Sequence, residues 1–114
     1  MKTKFEGDRG ENLAEGFLKE KGYKILDRNK TLMNIEVDII AEAPSGDICF
    51  IEVKSRSSYA FGQPLEAVTF RKIKRYKQFI KLYADIKKLY DRTLRIDVIA
   101  VTGDGAEHIE NVGF

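Results

Sequence analysis

Glu52-Val53-Lys54 puts a carboxylate and an amine at the end of an apolar run that begins at Ile48, and Glu36 and Asp38 interrupt a second run between Ile35 and Ala41. Charged side chains are rarely buried unless they pair or bind a metal. Two carboxylates brought together repel each other unless a cation sits between them. Hard oxygen ligands on two rigid strands suit Mg²⁺ or Mn²⁺, with water completing the shell. Such a metal polarises a phosphoryl oxygen and can activate a bound water. Lys54, two residues beyond Glu52 and on the same strand face, is placed to hold that water or to stabilise charge on the phosphate. These are the residue types of phosphodiester hydrolysis. A structural ion-pair network inside the sheet is the competing reading, and these residues taken alone leave both open.

The chemistry depends on a hairpin. Residues 33–43 and 47–54 are predicted strands joined by Pro44-Ser45-Gly46, with proline opening a type I turn and glycine in the left-handed position after it. That loop sets Ala43 against Asp47, and hence Asp38 opposite Glu52 and Glu36 opposite Lys54. Directly opposed side chains share a face, with β-carbons about 4.5–5.5 Å apart, and a one-residue slip would separate the carboxylates. Glu36 is expected to pair with Lys54 and orient it, in a supporting role rather than as a metal ligand. The other face carries Ile35, Val37, Ile39 and Ala41 against Cys49, Ile51 and Val53, and needs a helix as cover.

Around the hairpin the predicted order is helix, strand, hairpin, helix, two strands. Residues 8–21 form a helix with Leu13, Phe17 and Leu18 as its stripe, Asp8 as N-cap and Gly22 past its end. Glu11, three residues after Asp8, is either a capping or solvent-facing residue or an acidic member of the site. Residues 23–29 form a short strand. Residues 55–63 form a loop, in which Tyr59 and Phe61 either stack on an unpaired base or pin the loop, and Ser55 and Arg56 could touch phosphate. Residues 65–88 form a helix with Val68, Ile73, Tyr76, Phe79, Ile80 and Tyr83 as its apolar stripe. Strands over 94–101 and 108–112 follow. Arg95 and Asp97 are read as structural, and His108 as a surface residue.

The second helix is also where the charge lies. Residues 71–88 carry a net +7 through Arg71, Lys72, Lys74, Arg75, Lys77, Lys81, Lys87 and Lys88 against Asp85 alone, which leaves −5 for the remainder of a chain of net +2. A solvated face is the ordinary explanation of such a run; its one-sidedness points instead to phosphate-backbone contacts by Arg71, Lys72, Lys74 and Arg75.

With 114 residues, the chain is read as a single domain spanning 1–114 with a core of its own. Cys49 is the sole cysteine and reads as a small buried hydrophobe. No signal peptide is recognised and no apolar run approaches a membrane span, so a cytoplasmic protein without membrane contact is expected. No zinc pattern, P-loop or Ser/His/Asp arrangement is present.

Asp38, thirteen intervening residues and Glu52-Val53-Lys54 resemble the PD-(D/E)XK signature of restriction-endonuclease-like nucleases. Further blocks resemble the YraN-type uncharacterised family in the same order: Gly10-Glu11 with Ala14, residues 22–26, 36–41, 50–54, 61–68, 95–99 and 109–114. The resemblance implies an α/β restriction-endonuclease-like core, a mixed central sheet of about five strands flanked by helices, similar to archaeal Holliday-junction resolvases. By that likeness Asp38 and Glu52 are metal ligands, the Val53 carbonyl is a third, Lys54 is the catalytic lysine and Glu11 completes the acidic site. Two departures stand out. Val37 replaces the proline of the signature, and Ile35 replaces a glycine usual before Glu36, narrowing the approach to the site at that edge.

Three functions are therefore expected in order. The first is a Mg²⁺- or Mn²⁺-dependent endonuclease acting on DNA, at branched or structured sites, as a two-fold dimer. The second is a non-cleaving nucleic-acid-binding module that keeps the fold. The third is a subunit whose basic helix contacts an acidic protein. The residues do not separate DNA from RNA.

Overall fold

The computed structural model describes residues 4–55, 69–103 and 105–113. The elements are α1 (Lys4–Glu20), β1 (Lys24–Leu32), β2 (Ile35–Glu42), β3 (Ile48–Ser55), α2 (Phe70–Lys87), β4 (Leu94–Thr102) and β5 (Gly105–Ile109). The five strands form one mixed sheet in chain order, β1-β2-β3-β4-β5. All neighbours are antiparallel except β3 and β4, which run parallel on either side of the α2 crossover. This is the α/β architecture implied by the sequence.

The hairpin closes as its loop chemistry requires. Ala43 N–H donates to the Asp47 carbonyl at 2.8 Å, and Gly46 takes φ +93°, where a side chain would be strained. The resulting register pairs Glu42 with Ile48, Ala41 with Cys49, Ile40 with Phe50 and Ile39 with Ile51.

Two apolar layers sandwich the sheet. Ala14 and Leu18 of α1 pack with Ile39, Ala41, Cys49, Ile51, Val53 and Ile99. Tyr76, Phe79, Ile80 and Tyr83 of α2 pack with Ile40, Ile48, Phe50 and Ile96. Phe50 sits edge-on to both Phe79 and Tyr83, with ring centroids 6.1 and 5.5 Å apart. Burial pushes the Cys49 thiol up to about 12, so it is an inert core residue.

Ile35 and Val37 belong to the α2 layer, not to the α1 layer with Ile39 and Ala41 as strict alternation predicts. The strand therefore changes face between Val37 and Ile39. Beside it on β1, Asn29 stands at φ +49° between the pairs Arg28–Ile39 and Lys30–Val37. A left-handed residue breaks the period of two, and asparagine tolerates it better than most. The switch centres on Asp38.

Several boundaries shift. Helix α1 begins at Lys4, so Asp8 lies inside it and is not its N-cap. Its buried face runs through Gly10, Glu11, Ala14 and Leu18, and Leu13 is exposed. Gly10 is needed there, because a β-carbon would stand 1.7 Å from Ser55 Oγ. Strand β5 begins at Gly105 rather than at His108, because Gly105 at φ +136° reverses the chain directly after β4. Among the described residues, no helix is long and apolar enough to cross a membrane.

Candidate functional site

The site lies where β2, β3 and the start of α2 meet. Asp38 is 7 % exposed, and its Oδ2 accepts the Val53 N–H at 2.8 Å. The carboxylate of β2 is thus fixed to the backbone of β3, one residue from Glu52. Glu52, also 7 % exposed, projects toward α2. Its Oε1 accepts from Lys72 Nζ at 2.6 Å and lies 3.4 Å from Lys54 Nζ, while its Oε2 accepts from the Tyr76 hydroxyl at 2.5 Å. Asp38 acts on the same groups. Its charge is felt by Lys72 and by the Tyr76 phenol, and its backbone amide hydrogen-bonds that phenol. The carboxylates of Asp38 and Glu52 therefore share one cluster of counter-groups.

The electrostatics follow from crowding. Burial works to raise the Glu52 pKa, but hydrogen bonds from Lys72 and Tyr76 and the charges of Lys72 and Lys54 outweigh it and hold it below the ordinary carboxylate value. Burial depresses the Lys54 amine, and the nearby Lys72 ammonium opposes the compensating pull of Glu52. Lys72 lies closer to Glu52, and that hydrogen bond overcomes the cost of burial and raises its pKa. Burial, followed by the charges of Glu52 and Asp38, drives the Tyr76 phenol well above its usual value.

The face switch corrects the reading of Glu36. Alternating with Ile35 and Val37, it points away from the α2 layer and is exposed, so it does not pair with Lys54. The ion pair of Lys54 is with Glu52. Ile35 does not narrow the approach either, because it is core beneath α2. Glu11 is 4 % exposed on the α1 side, where Arg28 Nη2 reaches its Oε1 at 3.3 Å. Arg28 shares a face with Ile39 of the α1 layer, whereas Glu52 faces α2. Glu11 thus approaches the sheet from the opposite layer to Glu52.

Lys72 is not an exposed phosphate contact in this structure, since Glu52 holds it. Arg71, Lys74 and Arg75 are exposed, and Arg75 also donates to the Asn34 carbonyl at 3.2 Å. Thr69 caps α2 by accepting the Lys72 N–H at 3.1 Å, and no acid stands in the first turn. Cations there oppose the helix dipole, so the end of α2 nearest Glu52 is strongly electropositive. Arg56, Tyr59 and Phe61 lie outside the described residues.

Sequence reasoning missed Tyr76, which it assigned to the apolar stripe. The available signal was the spacing of Lys72 and Tyr76, four apart and so on one helix face. It also misjudged His108, whose side chain is 2 % exposed. His108 Nε2 lies 2.7 Å from Oδ2 of the fully buried Asp97, whose Oδ1 accepts the Asn111 N–H. Arg95 joins Asp97 to Asp47, Tyr23 and Glu110. This network ties the chain end to β4 and the end of α1.

Among the described residues, no three His, Cys, Asp or Glu side chains converge as a metal-binding group. The carboxylates of Asp38 and Glu52 are hard oxygen donors of the kind taken by Mg²⁺ or Mn²⁺, which use one or two carboxylates and keep several waters, and without His or Cys they do not suit zinc.

The model of uncharacterised protein family UPF0102 (YraN) matches residues 10–101. A UPF0102 protein of Clostridium novyi is 42 % identical over 83 % of this chain and 78 % of its own. One from Trichlorobacter lovleyi is 43 % identical over 92 % and 87 %. Among solved structures, a repair endonuclease from Pyrococcus abyssi superposes on 90 % of this chain with a TM-score of 0.50 at 18 % identity. An EndoMS–dsDNA2 complex does so with the same score at 19 %. The chain spans 39 % of each of these two structures, and the likeness is one of fold.

Proposed function

Because the chain belongs to uncharacterised protein family UPF0102 and carries a buried carboxylate–lysine cluster on a nuclease-like fold, we propose that it is a divalent-metal-dependent endonuclease. Its substrate is DNA, at branched or otherwise structured positions. One observation carries this reading. Glu52 is 7 % exposed and is held beside Lys54 and Lys72, with Asp38 anchored one residue away on the same strand pair. A buried carboxylate with two ammonium partners is a costly arrangement for stability alone, since apolar replacements of buried ion pairs are often neutral or stabilising.

In this reading Asp38, Glu52 and the Val53 carbonyl would hold Mg²⁺ or Mn²⁺, which when bound would supply Lewis-acid polarisation of a phosphate and a bound water of lowered pKa. The chain's own groups do the remainder. Lys54 holds the attacking water or balances charge on the phosphate. Tyr76 fixes the Glu52 carboxylate through Oε2. Arg71, Lys74 and Arg75 grip the flanking backbone. A two-fold dimer would present paired sites to a symmetric duplex or junction. The non-cleaving module is supported by a specific observation too: both oxygens of Glu52 are already engaged by the protein.

Cleavage of junction, flap and duplex DNA in Mn²⁺, with Glu52→Gln and Lys54→Ala controls, separates the two. Activity abolished by both substitutions supports the nuclease. Binding without cleavage in any metal, with unchanged binding by the variants, overturns it in favour of the passive module.

A further inference from the structure

Glu52 is neutralised from two elements, and the two cations differ in their freedom to leave. Lys54 is rooted on β3 two residues away, and its ammonium is 3.4 Å from Oε1 with the side chain 28 % exposed. Lys72 comes from the first turn of α2, lies closer at 2.6 Å, and is the more exposed at 35 %. Oε2 is closed by the Tyr76 hydroxyl, which is buried. Asp38 adds a weaker pull on the same ammonium. A divalent ion approaching the pair meets an ammonium already in the position of strongest attraction. Lys72, the more exposed of the two, lines a small cleft with Glu52, Ile73, Tyr76, Ile96 and Val98, and Lys54 is not among the lining residues. Arg71 and Arg75, exposed on the same turns of α2 as Lys72, could meet a phosphate backbone there.

We propose that the Lys72 ammonium is a resident counter-ion for Glu52 that a divalent metal must displace, and that the displaced side chain then binds a nucleic-acid phosphate. This rests on the metal-site reading above. Metal and nucleic acid thereby assist each other: the phosphate gives Lys72 somewhere to go, and the metal frees it. A ligand that stabilises one of two states draws the population toward it, and the coupling is reciprocal.

The test is calorimetric titration of Mn²⁺ into wild type and Lys72→Gln, with Lys72→Arg as a charge-preserving control, with and without a short DNA duplex held in Ca²⁺-free buffer. Expected is Mn²⁺ binding at least about tenfold tighter in Lys72→Gln than in wild type when DNA is absent, with Lys72→Arg near wild type. With DNA present, Mn²⁺ should tighten in wild type and change little in Lys72→Gln. Equal or weaker Mn²⁺ binding by a folded Lys72→Gln overturns the exchange and leaves the metal site standing. No Mn²⁺ binding by any of the three proteins overturns the metal-site reading itself.

Discussion

Asp38 Oδ2 and the Val53 N–H are joined at 2.8 Å, so the acid of β2 is held by the backbone of the strand that carries Glu52. A carboxylate in that position serves as hydrogen-bond acceptor and as charge, and the two contributions are separable. Asp38→Asn keeps an oxygen for the Val53 amide and removes the charge. It should cost little stability and abolish Mn²⁺ binding by calorimetry. Asp38→Ala removes the acceptor as well and should destabilise the fold by about 1–3 kcal/mol in urea denaturation. Retained Mn²⁺ affinity in Asp38→Asn would remove Asp38 from the ligand set.

Tyr76→Phe deletes a buried donor to an ionised carboxylate and leaves the ring in the α2 layer. A hydrogen bond to a charged partner contributes about 1.5–3 kcal/mol. Chemical denaturation at neutral pH should show a loss in that range. If Tyr76 served only as packing, its phenylalanine variant would match wild type.

Glu52 makes folding sensitive to acid. Its pKa in the folded chain lies below the ordinary glutamate value, so the unfolded chain takes up the proton first. The stability it contributes is complete above that unfolded value and is lost as pH falls through the folded one. Unfolding free energy should therefore decline on acidification below about pH 4.5, and the decline should be shallower in Glu52→Gln. Parallel curves for the two proteins would assign the acid sensitivity to other carboxylates.

These behaviours follow from contacts that were unevenly legible in the sequence. Pro44-Ser45-Gly46 has only a narrow choice of turn geometry, and it set the register near the turn; the ladder ends at Ile39–Ile51, and Asp38 is tied to β3 through the Val53 N–H instead. The five-strand α/β order was legible for the same reason, since Gly and Pro punctuate runs of clear period. Glu36 and Ile35 were not, because period-two reasoning presumes an unbroken strand and β2 changes face between Val37 and Ile39, beside the left-handed Asn29. Tyr76 was hidden by its own amphipathic character, since its ring satisfied the apolar stripe and its hydroxyl went unasked about. The Lys72–Glu52 pair crosses from helix to strand, and no local pattern encodes which face of α2 meets which strand position.

The basic face of α2 predicts a measurable salt dependence. Arg71, Lys74 and Arg75 are exposed on the first turns of α2, and each phosphate contact contributes about 0.9 to the slope of log affinity against log salt on duplex DNA. Replacing each by alanine should lower the slope by about one per contact, weakening binding alike for all sequences. Lys87→Ala, at the far end of α2, should leave the slope nearly unchanged. Identical slopes for every variant would mean that α2 is a solvated face.

Asn29 supplies the last test, because it connects backbone conformation to the site. At φ +49° it stands beside Asp38 on the neighbouring strand, where the sheet exchanges one layer for the other. Asn29→Gly removes a side chain at a position glycine adopts freely and should be tolerated. Asn29→Val places a β-branched residue where left-handed backbone costs it about 1–3 kcal/mol. The strand then gains by returning to regular alternation, which would carry Ile35 and Val37 out of the α2 layer and turn Asp38 away from Val53. Asn29→Val should therefore lose Mn²⁺ affinity out of proportion to its loss of stability, with Asn29→Gly keeping both. Equal Mn²⁺ affinity in the two variants would show that the face change is set elsewhere, by the packing of Ile35 and Val37 under α2.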